Sequence, residues 1–299
     1  TIGTFIASNR DRKWWQLWLF IGGIFLVTVW YSWWAYDGDV SYGRLMSKGF
    51  ETAPTSFHFL HIAAPLFLMI LTRMRMPVST TFLLLSCFAS TGGSIMSVTM
   101  KSVSGYGIAI VVAFAVWFAF GQAMKRWFTG EAHPAWRWAQ WISSGFLWSV
   151  WLQQDAANVA VYLPRSLNLT QFLVFAIAIF LGLGVLFSMG GEKVQEVVDE
   201  KSDVVDVRSA TVINAIYAVI LYVFKVVSQV PMSTTWVFVG LLAGRELAMA
   251  MRKANTTGRG VKDAIALARR DLVYVTIGFI VALVLAAVIN PVVGKALIE

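Results

Sequence analysis

Two five-residue clusters, Pro77-Val78-Ser79-Thr80-Thr81 and Pro231-Met232-Ser233-Thr234-Thr235, stand 154 positions apart, each between apolar runs. Proline fits the first turn of a helix because its missing N–H would have no partner there, and the neighbouring hydroxyls add donors to the unpaired backbone N–H groups. Such a helix end, at the positive pole of the helix dipole, cradles an anion without a charged side chain. Two of them face to face would grip a tetrahedral oxyanion from opposite sides. Serine and threonine in apolar helices more commonly hydrogen-bond a nearby carbonyl and do nothing else. Duplication at matched spacing is what favours binding here.

The second polar constellation is Gln153-Gln154-Asp155-Ala156-Ala157-Asn158, with Pro164 shortly after. Asp155 and Asn158, three apart, share a helix face, and Gln154 lies on the adjacent one. An ionised carboxylate in an apolar setting needs a cation or donors beside it, and carboxylate with amide oxygens suits Na⁺ or a transferable proton. The alternative is an interfacial Asp155 wetted by a loop. The residues expected to hold the oxyanion are therefore Ser79, Thr80, Thr81, Ser233, Thr234, Thr235 and Asn158, and those expected to hold the coupling ion are Gln154, Asp155 and Asn158.

These groups must be carried by membrane helices. The chain is 58% hydrophobic and 13% charged, with 14 Trp and a mean hydropathy of +0.68, too little polar surface to cover a water-soluble globule. Apolar runs fall at about 14–36, 55–72, 78–99, 104–124, 136–163, 169–189, 209–229, 232–251 and 271–290, against ~20 residues for a span. The fold class expected is an all-α integral membrane protein of eight or nine transmembrane or re-entrant segments. A net charge of +8 without a basic, aromatic-interleaved motif reads as topology and not as nucleic-acid binding. The segment after Met251, with Arg252, Lys253, Arg259, Lys262, Arg269 and Arg270, is the strongest cytoplasmic loop. The acidic loop Gly190–Arg208 carries little topological weight and is expected to form a solvated helix. Trp14, Trp15, Trp18, Trp30, Trp33 and Trp34 bracket the first run, and Trp127, Trp136, Trp138 and Trp141 flank a later loop, as interfacial anchors do.

The repeat extends beyond the clusters. The same offset lays Trp15–Trp34 over Leu169–Phe187 and Ser56–Leu71 over Ser209–Phe224, and each cluster is followed by a small-residue helix, a polar break (Met100–Ser104 or Arg252–Arg270) and a terminal run. Residues 1–135 form the first repeat and 136–299 the second. The block Trp136–Pro164 has no counterpart, since by the same offset the residue matching Asp155 would be Thr1, so the leading helix of the first copy is expected upstream.

Gln154-Asp155-Ala156-Ala157-Asn158-Val159-Ala160, Gly190-Gly191-Glu192-Lys193-Val194 and Val230-Pro231-Met232-Ser233-Thr234-Thr235, with Gly240 and Gly244 following, resemble the C-terminal repeat of the inorganic phosphate transporter (PiT) family. The resemblance covers Trp136–Asn290 well and Trp14–Ala123 more loosely. It implies two inverted repeats, transport of phosphate with Na⁺ or H⁺, or of sulfate as in related permeases, and signature roles for Asp155, Asn158 and both hydroxyl clusters. Gln154 stands where the family has Asn, Phe82 and Trp236 where His often follows the cluster, and the first N-D signature is absent from these residues.

The expected function is secondary transport of an inorganic oxyanion, phosphate first, in the bacterial inner membrane. The alternative is a non-transporting subunit of the same fold, kept for its Trp-rich lateral surface. Partners expected are phosphate or sulfate, the lipid bilayer, and a second copy or other membrane subunits; no cofactor is expected besides the Na⁺ or H⁺. His58 and His61 are weak candidates for a haem, lone Cys87 reads as a small buried hydrophobe, and no catalytic triad, zinc-protease motif or Walker loop is present, so neither catalysis nor ATP-driven transport is expected.

Overall fold

The computed structural model describes residues 5, 6, 9, 11–46, 50, 51, 59–73, 78–189, 207–227, 231–252 and 260–298, and every regular element among them is helical. These are α1 (Trp14–Ala35), a 3-10 turn (Arg44–Met46), α2 (Leu60–Arg73), a π-helical turn (Thr81–Leu85) running into a 3-10 turn (Ser86–Phe88), α3 (Gly92–Trp127), α4 (Ala135–Asp155) and α5 (Ala157–Ala160). The second half continues with α6 (Leu169–Ser188), α7 (Val207–Val227), α8 (Thr234–Met251), α9 (Val261–Ile289) and α10 (Pro291–Ile298). Helices α1, α3, α6, α7 and α9 are long and apolar enough to cross a bilayer. The aliphatic side chains they leave exposed, Val27, Val111, Val174 and Val288 among them, suit acyl chains and not water.

Several of the expected runs take a different form. Met100–Ser104 does not break the chain: it lies inside α3, a continuous 36-residue helix, because Thr99 Oγ1 and Ser102 Oγ donate to the carbonyls of Ile95 and Val98 at 2.8 and 2.7 Å, so the polar side chains are paid off within the helix. The break falls earlier, at Ala89–Thr91, between the tight turns and α3. Helix α2 has 14 residues, and Pro65 within it has no N–H to give the His61 carbonyl. The Tyr162 hydroxyl takes that carbonyl instead, at 3.2 Å. Run 136–163 divides at Ala156 into α4 and α5. Helix α8 carries a buried Arg245–Glu246 pair, Nη1 to Oε1 2.8 Å, tolerable because this helix is largely enclosed by protein. The expected solvated helix in Gly190–Arg208 falls, up to residue 206, outside the described residues.

Three helix pairs position the site. Helices α1 and α6 run antiparallel: Trp18 Nε1 donates to the Phe180 carbonyl at 2.9 Å and Trp33 Nε1 to the Leu167 carbonyl at 2.7 Å, with Phe25 against Phe175 between them. Asn168 and Gln171 begin α6 with a reciprocal capping box. Helices α1 and α4 run side by side in the same direction, Phe20 meeting Trp141, Ile24 meeting Gly145 and Thr28 Oγ1 bonding Ser149 Oγ at 3.1 Å. Helices α3 and α8 make the closest approach. A Cβ on Gly240 would fall 2.5 Å from the Tyr106 carbonyl oxygen, and one on Gly244 would collide with the Ile110 backbone. This G-x-x-x-G spacing lets two backbones touch where side chains would hold them apart.

Candidate functional site

Asp155 ends α4 and is 4% exposed. Its Oδ2 accepts from Thr234 Oγ1 at 2.6 Å, and its Oδ1 accepts from Asn158 Nδ2 at 2.7 Å. Thr81 Oγ1 lies 3.4 Å from Oδ1 and 3.1 Å from the Met232 carbonyl, so its single proton is shared, mostly toward the carbonyl. One carboxylate thus receives a hydroxyl from each duplicated cluster. Asn158 Nδ2 also donates to Thr80 Oγ1 at 3.0 Å. The 2.6 and 2.7 Å contacts lie at the short end of the range for O–H···O and N–H···O bonds.

The two clusters bind one another reciprocally. Thr81 donates to the Met232 carbonyl, and Thr235 donates to the Val78 carbonyl at 3.2 Å. The repeat offset exchanges Thr81 with Thr235 and Val78 with Met232, so each bond is the image of the other, the pattern a two-fold relation produces. Phe82 and Trp236, also exchanged by the offset, meet with ring centroids 5.3 Å apart and share Phe279.

The serines do something other than what their neighbours' prolines imply. Ser79 Oγ accepts from Phe82 N at 3.2 Å and Ser233 Oγ from Trp236 N at 3.3 Å. Ser233 is the N-cap of α8, which puts Pro231 before the helix and not in its first turn; Pro77 lies outside the described residues. The two helix ends are therefore closed by their own side chains. Ser233 N is used as well, donating to Ser102 Oγ at 2.8 Å.

Gln154 Nε2 donates to the Leu221 carbonyl on α7 at 3.0 Å. The amide oxygens of Gln153, Gln154 and Asn158 are buried and have no donor among the described protein atoms. Unpaired acceptors at this depth are costly, and that of Asn158 belongs to the amide whose Nδ2 bonds Asp155.

Sequence reasoning missed the site's own cations. Arg44 is fully buried, with Nε donating to the Gln153 carbonyl at 3.1 Å. Burial pushes its guanidinium down to about 10 and the nearby Asp155 carboxylate holds it up, so it is charged at neutral pH. A knotted loop delivers it: the Asp39 carboxylate accepts from Ser41 N, Ser41 Oγ and Gly43 N at 2.7–2.8 Å, and Gly38 and Gly43 take positive φ of 91° and 72°. Lys101 on α3 and Lys225 on α7 lie within electrostatic reach of Arg44, and Lys225 Nζ sits 5.4 Å from the Tyr42 ring centroid. Lone basic residues inside apolar stretches were the available signal.

His61 stacks against Phe88 at 4.9 Å, while His58 lies outside the described residues. Cys87 is buried and bonds the Leu83 carbonyl through Sγ.

The reciprocal bonds differ in one respect, since Thr81 alone also reaches Asp155. Thr235→Val is expected to cost about 0.6 kcal/mol, typical of an interhelical hydrogen bond in a membrane protein. Thr81→Val should cost about 1–3 kcal/mol, because it withdraws a donor from a buried carboxylate. Thermal unfolding of the two purified variants checks the order. No protein-family model, no curated protein and no solved structure matches this chain.

Proposed function

We propose that this chain is a secondary transporter, related to the PiT family, that moves an inorganic oxyanion, phosphate first, across the bacterial inner membrane together with Na⁺ or H⁺. In this reading the chain is built from two inverted repeats that supply eight or nine transmembrane or re-entrant segments. The observation that carries it is the Asp155 carboxylate held between Thr81 and Thr234, one hydroxyl from each copy of a duplicated cluster. The reciprocal Thr81 and Thr235 bonds and the antiparallel run of α1 and α6, which the repeat offset superposes, support an inverted duplication.

Arg44, charged and buried beside Asp155, supplies a fixed positive charge that favours an anion. The coupling ion binds Asp155 with the amide oxygens of Gln154 and Asn158. The anion binds where the hydroxyl clusters part, and Thr80, Thr81, Thr234 and Thr235 exchange their internal partners for its oxygens, with Ser79 and Ser233 at the helix ends. Rocking of one repeat against the other then alternates access.

A non-transporting subunit of the same fold is the second reading. It draws on the Phe82–Trp236–Phe279 cluster, which packs apolar rings directly beside the hydroxyls. Uptake of radiolabelled phosphate and sulfate into proteoliposomes, with and without Na⁺ or pH gradients, separates the two. Gradient-dependent phosphate accumulation is expected. No accumulation of either oxyanion under any gradient would refute transport and leave the subunit.

A further inference from the structure

At the end of the molecule where α1 and α4 both begin lies a cavity of about 750 Å³, lined by Arg12, Gln16, His133 and Arg137 together with Trp15 and Trp138. Below it, along the side where α1 and α4 run together, is an apolar groove of about 600 Å³ that includes Gly23, Ile24, Val27, Ile142 and Phe146. The two adjoin, since Leu19 and Trp141 line both. Gly23 forms an open stretch of the groove wall: a Cβ there would meet nothing within 4 Å.

The head of this crevice is cationic. Among the described residues Arg12 and Arg137 share one acidic partner, Asp11, at 3.9 and 3.1 Å, and all three side chains are 38–53% exposed. Ion pairs this exposed hold weakly, so a phosphate competes with Asp11 for both guanidinium groups. Two helix N-termini, at Trp14 and Ala135, add their positive poles. Arg252 comes to this same end through bonds to Phe118 and Gln122 of α3, and the concentration of basic residues marks it as cytoplasmic.

We infer that this crevice is a binding site for an anionic phospholipid, whose phosphate sits between Arg12 and Arg137 and one of whose acyl chains fills the α1–α4 groove. A free phosphate satisfies the head and leaves the groove unexplained. A zwitterionic lipid satisfies the groove and gains less from the cationic excess. Trp15 and Trp138, 42% and 73% exposed, stand at the depth where indole rings border headgroups.

The test is native mass spectrometry of the full chain released from detergent containing phosphatidylglycerol, phosphatidylcholine or inorganic phosphate. One retained phosphatidylglycerol is expected, in preference to phosphatidylcholine. Arg12→Gln with Arg137→Gln should reduce that retention roughly 30-fold, from the attraction each basic residue contributes at an anionic surface. Gly23→Leu fills the groove, leaves the cations untouched, and should also expel the lipid. Equal retention of the two lipids overturns the proposal. So does displacement of phosphatidylglycerol by inorganic phosphate, or its unchanged retention by the Gly23→Leu protein.

Discussion

Replacing Asp155 by Asn is expected to leave the protein assembled and to remove gradient-driven uptake. The carboxylate accepts from Asn158 Nδ2, from the Thr234 hydroxyl and, in part, from Thr81. An amide of the same shape keeps one oxygen for Asn158. Its new NH₂ faces Thr234, whose hydroxyl can turn and accept, and Thr81 can give its proton wholly to the Met232 carbonyl. The stability cost is thus about 1–3 kcal/mol, that of a rearranged buried hydrogen-bond set. Ion coupling has no such substitute. An amide neither takes up a proton nor carries the charge that pairs with Na⁺, so gradient-driven uptake is expected to fall to background. Arg44 keeps its charge, so phosphate exchange without a gradient should persist. Size-exclusion profiles with uptake and counterflow in proteoliposomes measure all three quantities. Wild-type uptake by the Asn variant under the same gradient would remove Asp155 from the mechanism.

Gly244→Ala is expected to have the largest effect on the fold of any single-methyl change. The added carbon is directed at the Ile110 backbone, where its carbonyl, carbonyl carbon and Cα all crowd the position. A flexible side chain could swing aside; a helix backbone cannot. Helices α3 and α8 must separate, loosening Ser233 N from Ser102 Oγ and with it the cap that begins α8. Overpacking costs about 1–3 kcal/mol where side chains absorb it and more where they cannot. Gly240→Ala meets the Tyr106 carbonyl in the same way. Because either substitution opens the same interface, the double variant should lose less than the sum of the two. Gly182→Ala, with nothing within 4 Å, is the control, expected to stay within about 0.5 kcal/mol of wild type. Thermal unfolding followed through the tryptophans reads the series. An unaltered Gly244→Ala midpoint would mean that the α3–α8 approach is not as close as described.

Polar residues stranded in apolar runs are conspicuous, so Asp155, Asn158, Thr81 and Thr234 are legible as candidates in the sequence alone. Their partners were harder to see. Arg44 reaches Asp155 from a loop more than a hundred residues away in sequence, and nothing in Tyr42-Gly43-Arg44 announces that Asp39 will fold the loop inward. Hydropathy does not separate lipid-facing segments from protein-enclosed ones. A buried helix and a lipid-facing one draw on the same residues, and α8 can hold Arg245 and Glu246 only because protein surrounds them. Breaks were misplaced for a local reason. Thr99 and Ser102 read as interruptions but bond their own helix, whereas Thr81–Leu85, which reads as an ordinary apolar helix, is wound as a π turn.

The crossed threonine bonds constrain how the two halves can part. Thr81 and Thr235 each hold the backbone just ahead of the other, so drawing the two clusters straight apart lengthens both bonds together. Opening along that direction gives up two interhelical hydrogen bonds at once, about 1 kcal/mol in all. Each side is at once bolt and socket.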